Sequence, residues 1–174
     1  MTNAAHDTDL PSMPTSPETL LAKLDTLAIK YDLYHHKAVF TVAESEEVDA
    51  EIPGTHCRNM FLRDKKKRMF LVTLANETQV DLKELESVLE CGRLSFGSPD
   101  RLWTYMGVRP GSVTPFCVMN DTEKQVPLVL DAWMMKQERI NVHPLINTMT
   151  VGFAPADLIR FLEEIRHPYK IMDL

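Results

Sequence analysis

The sequence predicts a single-domain α/β fold of the α+β type, a mixed and mostly antiparallel sheet surrounded by helices. Three observations predict it. The 174 residues match the usual size of one compact domain with one core. Amphipathic helical segments interleave with short apolar runs, most of them close enough along the chain to be joined as hairpins. Eleven prolines stand against six glycines, which gives many fixed turns and few glycine-rich phosphate loops.

Residues 1–15 are polar, with Pro11 and Pro14 interrupting regular structure, and are expected to form a disordered tail ahead of a domain spanning 16–174. Ser16-Pro17-Glu18-Thr19 reads as a helix start, with a capping serine and proline at the first helical position. Leu20, Leu21, Leu24, Leu27 and Ala28 then recur at helical spacing to about Tyr31. A short strand near Leu33–His36 and a small helix near Val42–Asp49 follow. Phe61-Leu62 and Met69–Leu74 flank a basic turn and read as a hairpin. Val80–Glu90 is an amphipathic helix closed by Cys91-Gly92, Leu94–Phe96 a strand, and Pro99 opens a helix to about Met106. Val113–Met119 and Val126–Leu130 read as strands, with a short helix within 131–138. Ile140–Val142 and Thr148–Phe153 read as further strands, and Pro155–Arg166 as a final helix with one broad apolar face.

No apolar run approaches the ~20 residues that would span a bilayer, and the start carries no basic segment leading into an apolar one. A cytoplasmic protein without a membrane partner is expected. Three widely spaced cysteines (Cys57, Cys91, Cys117) offer no disulfide framework. The net charge of −6 argues against a nucleic-acid partner, but its distribution does not. Residues 58–68 carry Arg58, Arg63, Lys65, Lys66, Lys67 and Arg68 against Asp64, which is +5 locally and leaves −11 elsewhere. Such a stripe on an acidic body attracts a polyanion at one place and repels it at others. A solvated hairpin tip is the plainer reading.

Several familiar constellations are missing: GxGxxG, a phosphate-binding P-loop, GxSxG, and paired histidines at zinc spacing. His56 and Cys57 are adjacent and would point to opposite faces of a strand. Cys91 and Cys117 lie in apolar surroundings that suit core packing. Two segments stand out. In Gly107-Val108-Arg109-Pro110-Gly111-Ser112-Val113-Thr114-Pro115-Phe116, two prolines and two glycines pin a loop that can aim backbone groups at one point. In Asn141-Val142-His143-Pro144, one strand face carries both Asn141 and His143.

These segments resemble a known family. Gly54-Thr55-His56-Cys57-Arg58-Asn59-Met60-Phe61-Leu62-Arg63-Asp64-Lys65-Lys66, then Gly92–Gly97, Gly107–Phe116, Asn120-Asp121-Thr122-Glu123-Lys124 and Asn141–Leu145 together resemble the YbaK/prolyl-tRNA-synthetase-associated editing domains. Within them the likeness is greatest to freestanding ProX-type alanyl-tRNA(Pro) deacylases. It covers about residues 16–174. The resemblance implies hydrolysis of alanine misattached to tRNA(Pro), without metal or cofactor. The loop from Gly111 to Pro115 would present backbone groups to the aminoacyl moiety and the attacking water, with assistance from a 2′-hydroxyl of the terminal adenosine. An ester is already activated, so positioning and oxyanion stabilisation suffice.

On this resemblance Arg58, Gly111 and Pro115 are the catalytic positions. Asn59, Ser112, Val113, Thr114 and His143 bind substrate, with His143 limiting the size of the amino-acid pocket. Lys65, Lys66, Lys67 and Arg68 are expected to bind the tRNA, whose acceptor end is the implied partner. Whether a prolyl-tRNA synthetase also takes part is left open. The family has lysine where this chain has Arg58, whose planar fork differs in bulk and reach. That difference keeps two alternatives in play: a cysteinyl-tRNA(Pro) deacylase, and a non-catalytic tRNA- or synthetase-binding module.

Overall fold

A computed structural model describes residues 11–174. Its sheet is organised on β3 (Met69–Ala75), in which every residue is buried. Met69, Leu71 and Ala75 face one hydrophobic core, and Phe70, Val72 and Leu74 face another. A strand covered on both faces reads as a continuous apolar run, as this one does.

β2 (Thr55–Arg63) pairs antiparallel with β3 from Cys57 opposite Ala75 to Arg63 opposite Met69. Two strands share its other edge. Thr55 and His56 pair in parallel with β6 (Ile140–Val142), while Leu62 and Arg63 pair with β4 (Ser95–Phe96). Beyond β6 lie β7 (Met149–Phe153) and β1 (Tyr31–His35), and beyond β3 lie β5 (Leu128–Asp131) and β8 (Tyr169–Met172). Four of these pairings are antiparallel and three parallel. This is the mixed sheet that the interleaved pattern predicts.

Helices cover both faces. α1 (Pro17–Thr26), α4 (Pro99–Met106) and α6 (Pro155–Glu164) contribute Leu20, Leu24, Leu102, Met106, Leu158, Phe161 and Leu162 to the larger core. α3 (Leu82–Val88) contributes Leu85 to the smaller one. α2 (Val42–Glu51) and the short α5 (Ala132–Met135) complete the set. Their starts follow ordinary capping chemistry. The Ser16 and Ser98 hydroxyls each accept an N–H three residues on, and Thr41–Glu44 and Asp81–Glu84 form reciprocal capping boxes.

The ends are less ordinary. α1 stops at Thr26, well short of Tyr31, because Ala28 turns into the left-handed region (φ 54°) and Ile29 N–H donates back to Leu24 C=O. Glu90 (φ 50°) and Arg166 (φ 55°) do the same after α3 and α6. All three sites normally favour glycine, so no glycine marks these boundaries in the sequence. For α3 the turn is made by Glu90, one residue ahead of Cys91-Gly92.

Three further differences have physical causes. The expected strand over Val113–Met119 is instead a 3₁₀ helix, Pro115–Asn120. Thr114 Oγ1 caps it by accepting from Phe116 N–H, and Phe116, Cys117 and Val118 are all buried. A run that is apolar on every side has no period to separate strand from helix. β8 has no counterpart among the expected elements; its residues alternate poorly and two of the four are exposed. Of the expected tail, 1–10 lie outside the described residues, while 11–15 are seated. Met13 packs on the core, Thr15 Oγ1 donates to Asn120 Oδ1 at 2.6 Å, and Arg109 Nη2 donates to Pro11 C=O at 3.0 Å. A β-carbon on Gly107 would sit 2.3 Å from Pro14 Cγ, so this glycine makes room for that segment.

Candidate functional site

Asn59 connects the sheet to the loop after α4. Its Nδ2 donates to Val113 C=O at 3.0 Å, and its Oδ1 accepts from Thr73 Oγ1 at 2.6 Å. Thr73 is fully buried on β3, so the carboxamide has one orientation, and it pins the 111–115 loop against β2. Gly111 adopts φ +88° in this loop, which a side-chain-bearing residue resists. It lies against Asn147, whose Nδ2 holds Val39 C=O at 3.1 Å. Ser112 and Thr114 are buried, and Ser112 N–H donates to Arg109 C=O at 3.0 Å. Among the described residues, neither Gly111 N–H nor Val113 N–H takes part in a backbone–backbone hydrogen bond.

A cavity of about 40 Å³ lies beside this arrangement, lined by Asn59, Cys57, His56, Asn141, His143 and Thr150 among others. His143 follows β6 directly. Its Nδ1–H donates to Met149 C=O at 2.8 Å, which leaves Nε2 as an acceptor. Burial lowers its pKa, outweighing the Met149 carbonyl, and the nearby His36 ring lowers it further. The imidazole is therefore neutral at pH 7. Larger hollows of about 590 and 660 Å³ occur elsewhere, and neither is lined by Asn59 or His143.

His56, given no role of its own in the sequence reading, is a second member of this wall. Its Nδ1 meets Asp49 Oδ1 of α2 at 3.0 Å, and its Nε2 meets Ile52 C=O at 2.8 Å. Burial alone would lower its pKa, but the Asp49 carboxylate and the Ile52 carbonyl together raise it. A raised folded-state value stabilises the protein fully below the ordinary histidine value near ~6.5, and the contribution is lost as pH rises through the folded value. Removing the carboxylate as Asp49→Asn is thus expected to cost more stability at about pH 5.5 than at about pH 8.5. Urea midpoints across that range check it. A difference independent of pH would mean that His56 is uncharged in the folded protein.

None of the thiols suits nucleophilic attack. Burial pushes Cys117 up to about 12 and Cys57 higher still, and it also raises Cys91. Among the described residues, no three His, Cys, Asp or Glu side chains converge so as to hold a metal ion. No helix there is long and apolar enough to cross a membrane.

The structure thus brings Asn59, the 111–115 loop and His143 to one place. It separates Arg58 from them. Strand alternation puts Arg58 on the opposite face of β2, where its guanidinium donates to three backbone carbonyls: Ala75 (3.2 Å), Asn76 (2.9 Å) and Thr78 (2.7 Å). The same loop is held by Asp131, whose carboxylate accepts from Ala75 N–H and the Thr78 hydroxyl. The Asn120–Lys124 stretch is also structural: Asp121 is buried and accepts from Gln125 N–H, Val126 N–H and His167.

The basic hairpin tip stands roughly 20 Å along β2 from Asn59, at ~3.3 Å per residue. It is a built turn. Buried Asp64 accepts from Lys66 N–H and Arg68 N–H at 2.8 and 2.9 Å, and pairs with the Arg68 guanidinium at 2.7 Å. Arg68 is therefore committed internally. Lys65, Lys66 and Lys67 are exposed, and Lys67 occupies a left-handed position (φ 65°) that ordinarily takes glycine.

With this geometry in place, comparison with known proteins gives one answer. The aminoacyl-tRNA editing domain model matches residues 36–161. The chain is 35% identical to the prolyl-tRNA editing protein ProX of Acetoanaerobium sticklandii, across 90% of this chain and 96% of that one. It is 38% identical to the prolyl-tRNA synthetase associated domain-containing protein 1 of Danio rerio, across 83% of this chain and 79% of that one. A crystal structure of a candidate trans-editing enzyme for prolyl tRNA synthetase superposes with a TM-score of 0.65 at 16% identity, covering 94% of this chain and 98% of the other. That last likeness is one of fold. The chain belongs to the aminoacyl-tRNA editing domain family.

Proposed function

We propose that this protein is a trans-acting deacylase that hydrolyses alanine from mischarged tRNA(Pro) in the cytoplasm, without a metal. The observation that carries this reading is the pinned 111–115 loop beside a cavity of about 40 Å³. In this reading the wall that His143 and Asn59 share sets which aminoacyl group is accepted, and the correctly charged prolyl ester is rejected there.

In this reading the N–H groups of Gly111 and Val113 face the oxygen that becomes negative as water adds to the ester carbonyl. The water needs little activation, since the ester is reactive and the ribose 2′-hydroxyl beside it relays a proton. His143 Nε2, a neutral acceptor, receives a hydrogen bond from the substrate's ammonium and helps limit the pocket. Arg58 acts at a distance, by holding the 75–78 loop. Asn76 of that loop donates both to His56 C=O and to Asp49, which form one side of the cavity.

A deacylation panel tests the reading. Alanyl-tRNA(Pro) should be hydrolysed, with and without EDTA, and prolyl-tRNA(Pro) spared. Release of cysteine in preference to alanine would move the assignment to the neighbouring substrate, and tRNA binding without any release would make the protein a binding module. The hairpin lysines belong to the same reading. Changing Lys65, Lys66 and Lys67 together to glutamate is expected to weaken tRNA binding. It should also flatten the dependence of log affinity on log salt, because fewer counterions are released. Unchanged affinity at low salt would return them to a solvated tip.

A further inference from the structure

Phe40 is 76% exposed, the most exposed of the large apolar side chains among the described residues. Isolated exposed apolar residues are common, so its exposure alone decides nothing. Its setting does. Phe40 precedes the Thr41 cap of α2, the position where an apolar residue ordinarily packs against the fourth residue of the helix. Here that residue is Ser45, so no such contact exists and the fold has no use for the ring. The backbone beneath it is nonetheless held firmly. Glu44 accepts from both Phe40 N–H (2.8 Å) and Thr41 N–H (3.1 Å). Val39, one residue earlier, is buried, and Asn147 fixes its carbonyl beside Gly111.

An aromatic ring is thus displayed to solvent on fixed backbone, one residue from a contact with the loop assigned above to the ester. The ester and the terminal base of a charged tRNA share one ribose. A loop that holds the ester therefore brings the base within a side chain's reach. We propose that Phe40 is the stacking platform for the 3′-terminal adenine of the tRNA, an inference that rests on the deacylase reading for its ligand. Stacking suits this place because it needs no hydrogen-bonding partner and grips the base by its face. It also gives the enzyme a hold on the 3′ end that does not depend on which amino acid is attached, which leaves discrimination to the small cavity.

The test uses uncharged tRNA(Pro) carrying 2-aminopurine at its 3′ end, whose fluorescence falls when the base stacks. Binding to the parent protein should quench it, Phe40→Trp should retain the quenching, and Phe40→Ala should abolish it. With alanyl-tRNA(Pro), Phe40→Ala should raise the half-saturating concentration about 5- to 150-fold, the range for losing one base–aromatic stack. Because the side chain is exposed, the alanine variant should melt at the parent's temperature, and a circular dichroism melt verifies this. Quenching and half-saturation both unchanged in Phe40→Ala overturn the stacking assignment, whatever the hydrolytic activity. A parent that quenches through Phe40 yet releases no amino acid overturns the deacylase reading and leaves the stacking in place.

Discussion

Asn59→Ala is expected to lower the single-turnover hydrolysis of alanyl-tRNA(Pro) by about 10²-fold, the size of effect that a misplacement near 1 Å produces. The carboxamide is the tie between β2, Thr73 and the carbonyl of Val113. Without it, the Val113 carbonyl and the Thr73 hydroxyl lose their partners, a cost of about 1–3 kcal/mol of folding stability for a buried group. The rate should fall at temperatures where the variant is still fully folded. Asn59→Asp sharpens the case. It keeps an acceptor for Thr73 but sets a carboxylate oxygen against the Val113 carbonyl, so it should be at least as slow as the alanine variant. Parent-like turnover in either would show that the loop keeps its shape without this tie.

Arg58→Ala is expected to act mainly on stability. Its guanidinium bridges three carbonyls that one smaller group cannot reach together. Hydrogen bonds to a charged group are worth about 1.5–3 kcal/mol, which for a domain of this size moves the melting temperature by roughly 3–12 °C. Arg58→Lys should recover only part of that, because an ammonium is a point charge with no planar fork. Turnover should fall in proportion to the loosening of the 75–78 loop. The opposite pattern, with Arg58→Ala losing its rate at an unchanged melting temperature and Arg58→Lys exceeding the parent, would place the side chain on the substrate.

How far the sequence foretells this protein depends on the scale of each cause. Where a helix begins with serine and proline, or a strand is apolar throughout, the reason is local, and α1, α4, β3 and β7 follow from neighbouring residues. The pairing of Thr55 with Ile140 is not local, and neither is the role of Asp49 beside His56. Nothing within a few residues of His56 distinguishes it from any strand histidine. Asn59 and the 111–115 loop were legible as separate motifs, but the hydrogen bond that joins them spans 54 positions. Arg58 shows the converse. Its place in a motif suggested chemistry, while strand alternation, which is local, turns it to the other face. The 3₁₀ helix at Pro115 escaped because total burial erases periodicity.

Ala28, Glu90 and Arg166 have a bearing on the protein's evolutionary headroom. Each is exposed, and each holds a left-handed conformation that costs a side-chain-bearing residue about 1–2 kcal/mol. Glycine would relieve that cost and give back part of it through a freer unfolded chain, for a net gain of about 0.5–1 kcal/mol per position. The triple replacement should raise the melting temperature without touching hydrolysis, since none of the three residues lines the cavity. Selection has left this margin unused, as it does when a protein already stands above the stability its task demands. The same reserve could offset substitutions that reshape the amino-acid pocket at the expense of folding, so a variant with glycine at 28, 90 and 166 is the natural parent for redirecting this fold toward other mischarged tRNAs.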